Sequence, residues 1–240
     1  MRRFFAENLD TSGDKVLLSG DEAKHMLRVL RMREGDEVLL INGEGEECAA
    51  VITGTGDDSV ELSITDRKAC AAEPAVAVTL FQCLPKQGKM EVIIQKCVEL
   101  GVHRIVPVYS RRCVVKPDGR DSKLTRWNRV SQEAAKQCGR AFIPEVDEVM
   151  QMSRLDLSAF DLVLLAYENE SVRSLKTALK ECDCVRTIAI LIGPEGGFEP
   201  AEVETITAGG GVTVSLGSRI LRTETAGMAM LAQIMYELDQ

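Results

Sequence analysis

Two stretches near the C-terminus decide how this chain folds: Leu191-Ile192-Gly193-Pro194-Glu195-Gly196-Gly197-Phe198 and Leu216-Gly217-Ser218-Arg219-Ile220-Leu221-Arg222-Thr223-Glu224-Thr225-Ala226. The first closes the apolar run Thr187–Ile192, and the second follows Val212–Ser215. Short runs of Ile, Val and Leu without polar alternation suit parallel strands covered on both faces. Each run gives way to glycines and then to a helical pattern. A glycine loop at the C-terminal end of a parallel strand lets backbone approach a ligand, while the N–H groups of the next helix point outward. One such loop is as easily a tight turn. A pair of them points to a ligand site built from the C-terminal half.

Outward from these loops, the same grammar extends back to Ala75. Strands are predicted at Val76–Leu84, Arg104–Tyr109, Leu162–Tyr167, Ile188–Ile192 and Val212–Leu216, with a short piece near Ile143–Val146. Helices are predicted at Lys89–Leu100, Ser122–Cys138, Ser171–Cys182, Pro200–Ala208 and Thr223–Leu238. Met90, Ile93, Ile94 and Cys97 form one apolar face, Gly101 is a C-terminal stop, and Pro200 suits a first helical turn. Such alternation predicts a mostly parallel sheet with helices on both faces. The first 70 residues read differently, as a small β-barrel: strands at Val16–Leu18, Glu37–Asn42, Glu47–Thr53 and Val60–Thr65, and one helix over Ala23–Arg31. Arg67–Pro74 is the expected linker, which gives domains over 1–70 and 75–240. In the last helix, eight of the ten residues Ala226–Met235 are Ala, Met, Leu or Ile. A helix apolar all round is buried all round, and a partner subunit is the expected cover for its second face.

The chain has 240 residues, 45% hydrophobic and 28% charged, the proportions of an ordinary globular protein. No apolar stretch approaches the roughly 20 residues of a membrane span, and Met1–Glu7 lacks a signal-peptide core. Eight cysteines occur without a C-x-x-C pair, and there are two histidines, so a reduced, cytoplasmic protein without a metal site is expected. Net charge is −8, yet residues 103–140 carry ten Lys/Arg against three acids, and residues 23–33 carry four basic residues and no acid. That segregation predicts a phosphate footprint on an otherwise acidic protein; a solvated helix face is the plainer alternative.

The first βα turn, Leu84-Pro85-Lys86-Gln87-Gly88-Lys89, has no dinucleotide or P-loop fingerprint, and no G-x-S-x-G occurs. Hydride transfer, phosphoryl transfer and serine hydrolysis are poor fits, and His25 and His103 read as structural or RNA-facing. With these alternatives reduced, the two loops quoted above resemble the signature of the SPOUT-class methyltransferases. More narrowly the chain is similar to the small-subunit ribosomal RNA (uracil-N3)-methyltransferases, the RsmE family. That likeness extends over Met1-Arg2-Arg3-Phe4-Phe5, His25–Arg31 with Gly35-Asp36, Lys96–Val102, Arg126-Trp127, Glu133–Arg140 and Pro144.

The resemblance implies a PUA-like barrel for RNA, followed by an α/β domain tied in a deep trefoil knot, and a homodimer. It further implies S-adenosylmethionine (SAM) as cofactor and small-subunit ribosomal RNA, or the assembled subunit, as substrate. Cofactor contacts are implied at Leu165, Ala166, Tyr167 and Glu168, at Gly193, Glu195, Gly196 and Gly197, and at Leu216, Gly217, Ser218, Ile220, Leu221 and Arg222. Uracil N3 must shed a proton to attack a methyl group, and a fixed cation beside O2 or O4 stabilises the developing charge. Arg222 is the candidate for that cation. Glu224 either orients it or accepts the proton, and both roles stay open. Expected RNA contacts are Arg2, Arg3, Lys24, His25, Arg28, Arg31, Arg112 and Arg129, with Gln137 and Arg140 facing the target cleft. Ribose 2′-O-methylation is the nearest rival; that branch typically carries Ser-Leu-Asn-Val-Ser where this chain has Ile220-Leu221-Arg222-Thr223-Glu224. A non-catalytic RNA-binding module is the rival from another class.

Overall fold

The computed structural model describes residues 1–6, 13–86, 88–117, 121–182 and 184–238, which fall into two compact units. The first unit comprises Met1–Glu73 with Ala135–Ile143. Its strands are β1 (Arg2–Phe5), β2 (Lys15–Ser19), β3 (Glu37–Ile41), β4 (Glu46–Thr55) and β5 (Ser59–Ala69), in the order β1-β3-β4-β5-β2. The β1–β3 pair is parallel and the others are antiparallel. Period-two patterning sends Val38 and Leu40, Cys48, Ala50 and Ile52, and Val60, Leu62 and Ile64 to one face, where they meet Phe4, Ala23 and Met26 in a single core. The expected helix starts as α1 (Asp21–Lys24) and continues as a π-helical turn over His25–Val29. Strand β1 escapes sequence reading because four residues, two of them Arg, carry no period; burial of Phe4 and Phe5 against β3 defines it.

The expected linker also shifts. Strand β5 runs on to Ala69, since Ala69 still pairs with Glu46, and the chain leaves the sheet only after it. Glu73 draws residues 135–143 into the first unit: its carboxylate accepts from Arg140 Nε (3.1 Å) and Nη2 (2.8 Å) and from the backbone N–H groups of Ala141 (2.8 Å) and Phe142 (2.9 Å). The Arg3 guanidinium joins them by bonding the Gly139 carbonyl and pairing with Glu47.

The second unit comprises Pro74–Ala134 with Pro144–Gln240. Its strands are β6 (Ala77–Cys83), β7 (Arg104–Tyr109), β8 (Glu145–Val146), β9 (Met150–Gln151), β10 (Leu162–Ala166), β11 (Thr187–Ile192) and β12 (Val212–Val214). They order as β12-β10-β11-β6-β7-β8, every recorded pairing parallel, with β9 beside β7. Helices are α2 (Met90–Glu99), α3 (Asp121–Cys138, whose last turn belongs to the first unit), α4 (Leu175–Lys180), α5 (Pro200–Ala208) and α6 (Thr223–Leu238). Helix α6 buries Ala226, Gly227, Met230, Leu231 and Ile234 within its own unit. A methyl group at Gly227 would stand 3.6 Å from Leu80 and 3.2 Å from Gln82, so glycine lets the helix lie close on the sheet. Its other face differs: Met228, Ala229 and Ala232 are half-buried and Tyr236 is 81% exposed. Because β10, β11 and β12 are parallel neighbours, the loops that follow them leave the sheet at the same end.

Candidate cofactor and active site

Those three loops enclose a cavity of about 930 Å³, within the range of small-molecule sites. Of the expected cofactor residues, Ala166, Tyr167, Glu168, Gly193, Glu195, Gly196, Gly197, Leu216, Gly217, Ser218, Ile220, Leu221 and Arg222 line it. Leu165 does not. It is fully buried in β10 between Leu191 and Thr213, so the strand presents its last residue, Ala166, to the cavity instead.

The second loop turns through a Gly197 N–H to Pro194 carbonyl bond of 2.9 Å, with Gly197 in the left-handed region at φ 68°. A side chain on Gly197 would run into the Glu168 carboxylate. Gly196 is constrained otherwise: its carbonyl accepts from Arg112 Nη1 at 3.0 Å, and a Cβ there would meet the Arg112 Cβ at 3.3 Å. The loop ends in a capping box in which Glu199 and Glu202 satisfy each other's backbone at the start of α5. The third loop is pinned to the second by Thr223, whose hydroxyl donates to the Gly193 carbonyl (2.6 Å) and accepts from the buried Gln82 amide (2.9 Å). In the first loop Glu170 accepts from the Thr213 hydroxyl (2.6 Å) and from the N–H groups of Val172 (2.8 Å) and Arg173 (3.0 Å). The Thr213 bond first, and the backbone bonds after it, hold its carboxyl at about 2.

Beside the cavity, whose lining includes neither Lys89 nor Glu224, Lys89 joins two loops. Its ammonium lies 2.9 Å from Glu224 Oε1 and 3.8 Å from Glu195 Oε1. Burial would raise the Glu224 carboxyl, but the Lys89 hydrogen bond, the backbone, and the charges of Lys89 and Arg222 together hold it below the usual range. The Arg222 guanidinium is exposed and hydrogen-bonds no described residue, while its carbonyl accepts from Thr225 (2.9 Å) and Ala226 (2.8 Å) in the first turn of α6. Glu195 Oε2 is buried without a hydrogen-bond partner among the described residues. Lys89, Gln82, Thr223 and Glu170 were not predicted as site residues. Gln82 and Glu170 lie in stretches without a motif, Thr223 lies inside the second quoted loop but carried no assigned role, and Lys89, in a βα turn that lacks a fingerprint, stood where a ligand residue is usual.

The expected RNA residues separate by setting. In the first unit Arg2, Arg3, His25, Arg28 and Arg31 are exposed and Lys24 is half-buried; the His25 ring sits edge-on to Phe4 at 6.2 Å, and Arg28 pairs with Asp58 at 2.6 Å. Gln137 is exposed beside Lys136, which pairs with Glu22 at 2.7 Å. Arg140 is a correction. At 3% exposure and locked to Glu73, it is an internal strut that presents no charge to RNA. In the second unit Arg112 holds the Gly196 loop, and Arg129 pairs with Glu133 on the exposed side of α3. The basic run 103–140 is also largely neutralised: Arg104, Arg111, Arg112, Arg126, Arg129, Lys136 and Arg140 each face a carboxylate within 4 Å. Arg120 lies outside the described residues. Among the described residues no group of acids, cysteines and histidines is placed to hold a metal ion, and no helix is long and apolar enough to cross a membrane.

A cavity of bent loops at one end of a parallel sheet is compatible with several chemistries, and comparison with known proteins narrows them. Residues 72–235 match the RNA methyltransferase domain family, and residues 18–65 match the RNA methyltransferase PUA domain. The chain is 33% identical to ribosomal RNA small subunit methyltransferase E of Bacillus subtilis, over all of this chain and 98% of that protein. It is 31% identical to the protein of the same name from Mycobacterium tuberculosis, over 96% of this chain and 90% of that one. A crystal structure of ribosomal RNA small subunit methyltransferase E from Neisseria gonorrhoeae bound to S-adenosyl methionine superposes with a TM-score of 0.80, at 29% identity and over 99% and 98% of the two chains. The loops, the PUA-like first unit and the full-length likeness agree, and this chain belongs to the ribosomal RNA small subunit methyltransferase E family.

Proposed function

We propose that this chain transfers a methyl group from SAM to N3 of a uridine in small-subunit ribosomal RNA. The observation that carries the reading is one cavity built from three backbone-rich loops, lined by a guanidinium, Arg222, that bonds no described residue. The residues fit the cofactor. Glu168, Glu170 and Glu195 line the cavity, and the orphaned Glu195 oxygen suits a ligand that carries positive charge. Leu216, Leu221 and Ile220 offer apolar contact, and the loop backbone offers donors and acceptors for an adenine edge. When bound, SAM supplies an electrophilic methyl group. Arg222 supplies a fixed positive charge for a uracil oxygen as N3 loses its proton. Glu224, ionised and paired with Lys89, is a weak proton acceptor, so its role is to hold Lys89 and to attract the Arg222 charge, and water takes the N3 proton.

Exposed surface pairs contribute little to stability, so Arg28 and Arg129 can exchange carboxylate for phosphate at small cost, whereas Arg3 is held by the Gly139 carbonyl and the buried Glu47. This, with the exposure of the other residues, supports RNA contact at Arg2, Lys24, His25, Arg28, Arg31, Arg129 and Gln137. The half-covered outer face of α6 supports a homodimer. The placement of β12 on the far side of β10, with its loop pinned to the β11 loop, supports the trefoil knot that the resemblance implies. A cytoplasmic location follows from a ribosomal substrate.

The test pairs calorimetry with single-turnover kinetics. Arg222→Ala is expected to keep SAM affinity within a few-fold while turnover on small-subunit RNA falls about 10²–10³-fold, the range for losing one charge-stabilising donor. Equal losses of affinity and rate would make Arg222 a cofactor-binding residue. Wild-type protein that binds RNA but not SAM would be a non-catalytic RNA module.

A further inference from the structure

Beside the cavity, the β6–β7 pair ends on a second cluster of reactive groups. Cys83, the last residue of β6, is 1% exposed, and Cys113, in the turn after β7, is 8% exposed. Strand register sets Cys83 beside Val108, whose carbonyl the Cys113 thiol meets, so the two thiols are neighbours. Cys113 Sγ also accepts from the Ser110 N–H at 3.4 Å, lies 3.3 Å from the Ser110 hydroxyl, and sits 3.8 Å from the Val108 carbonyl. The bond with Cys83 chiefly, then those from Ser110 and Leu84, outweigh burial and lower the Cys113 thiol to about 6, while Cys83 is pushed well up. A ready thiolate nearer the surface, backed by a buried thiol, is the arrangement in which one sulfur meets an oxidant and the second resolves it. Their turn also carries the residues that hold the cofactor loop: Arg112 bonds the Gly196 carbonyl, and the Arg111 N–H bonds Glu202 at 3.0 Å.

We propose that Cys113 and Cys83 form a modification site for peroxides, whose disulfide pulls the Ser110–Cys113 turn away from the Gly196 loop and weakens SAM binding. The Cys113 thiolate attacks a peroxide oxygen, breaking the O–O bond and giving a sulfenic acid and hydroxide. The Cys83 thiol then attacks the sulfenic sulfur; the S–S bond forms and water leaves with the Cys83 proton. Two electrons pass from the sulfur pair to the peroxide. Pairs of this kind are the use to which disulfides are put in reducing compartments. The effect on SAM rests on the proposed reading of the cavity, whereas the thiol chemistry does not.

The test uses the full chain, reduced and then exposed to hydrogen peroxide at pH 7, alkylated and mapped by peptide mass spectrometry. A Cys83–Cys113 link, two hydrogens lighter than the reduced peptides, is expected before the exposed Cys184 is oxidised. SAM dissociation constants should rise at least fivefold and return on treatment with dithiothreitol. Cys83→Ser, whose hydroxyl keeps a donor beside Cys113 but cannot resolve it, should accumulate Cys113 sulfenic acid that dimedone captures, and Cys113→Ser should keep its SAM affinity through peroxide. Both thiols remaining alkylatable while Cys184 is oxidised would overturn the site. A link that leaves SAM affinity unchanged would overturn the coupling. Reduced protein that binds no SAM would instead sink the reading of the cavity, with the mass map standing independently.

Discussion

Arg222 and Glu224 stand two residues apart, yet their surroundings differ: one guanidinium bonds no described side chain, while the carboxylate is held by Lys89. If Glu224 were the proton acceptor, Glu224→Gln should abolish turnover and remove a carboxylate inflection from the pH–rate profile. With Glu224 as an orienting group, the expected loss is about 10-fold, smaller than for Arg222→Ala, and the rate should keep rising with pH in both proteins. Single-turnover rates from pH 5.5 to 9 decide between them. Glu170 makes a second prediction at this scale. Its carboxyl stands at about 2 against an ordinary 4.5, so it stabilises the fold above about 4.5 and loses that contribution as pH falls toward 2. Thermal unfolding of Glu170→Gln should therefore lie below wild type at neutral pH, with the gap closing between pH 4.5 and 2. The place of Arg222 on the cavity lining was legible because a loop motif carried it. Lys89 was not, because its meaning comes from partners 106 and 135 residues away that only folding brings near.

The second loop shows how elements depend on single backbone angles. Gly197→Ala places a methyl group both in the left-handed region and against Glu168. A cost of about 1–2 kcal/mol is expected from backbone conformation alone, together with at least tenfold weaker SAM binding, measured by denaturation and calorimetry. Most strands and helices of the second unit were legible because buried parallel strands and amphipathic helices have distinct periods. Helix α4 came out shorter than expected because Ser174 caps it by accepting from the Thr177 N–H at 3.1 Å. The basic run of 103–140 misleads for a related reason. Its carboxylate partners Glu22, Glu73, Glu91, Asp147 and Glu199 are scattered along the chain, so a local charge count cannot show that they meet.

At the scale of the whole molecule, the outer face of α6 sets the expected assembly. Met230 is fully buried within its own unit, so a charge there tests folding, whereas Tyr236 and Met228 lie on the outer side. Tyr236→Glu combined with Met228→Glu should leave thermal stability near that of wild type at equal protomer concentration, less the dimer's contribution, and shift sedimentation from dimer to monomer. A wild-type monomer at micromolar concentration would refute the dimer. The strand order was not legible, since nothing local places β12 beside β10 rather than at the opposite edge. The discontinuous first unit has its own consequence. Among the described residues the Glu73 carboxylate finds its donors in residues 140–142, so that unit cannot be completed when its five strands have left the ribosome. At the ordinary pace of synthesis, roughly 5–20 residues per second, several seconds pass before Arg140 emerges. Over that interval the nascent sheet waits with an unmatched carboxylate, and the first half of the second unit is made before the first is closed.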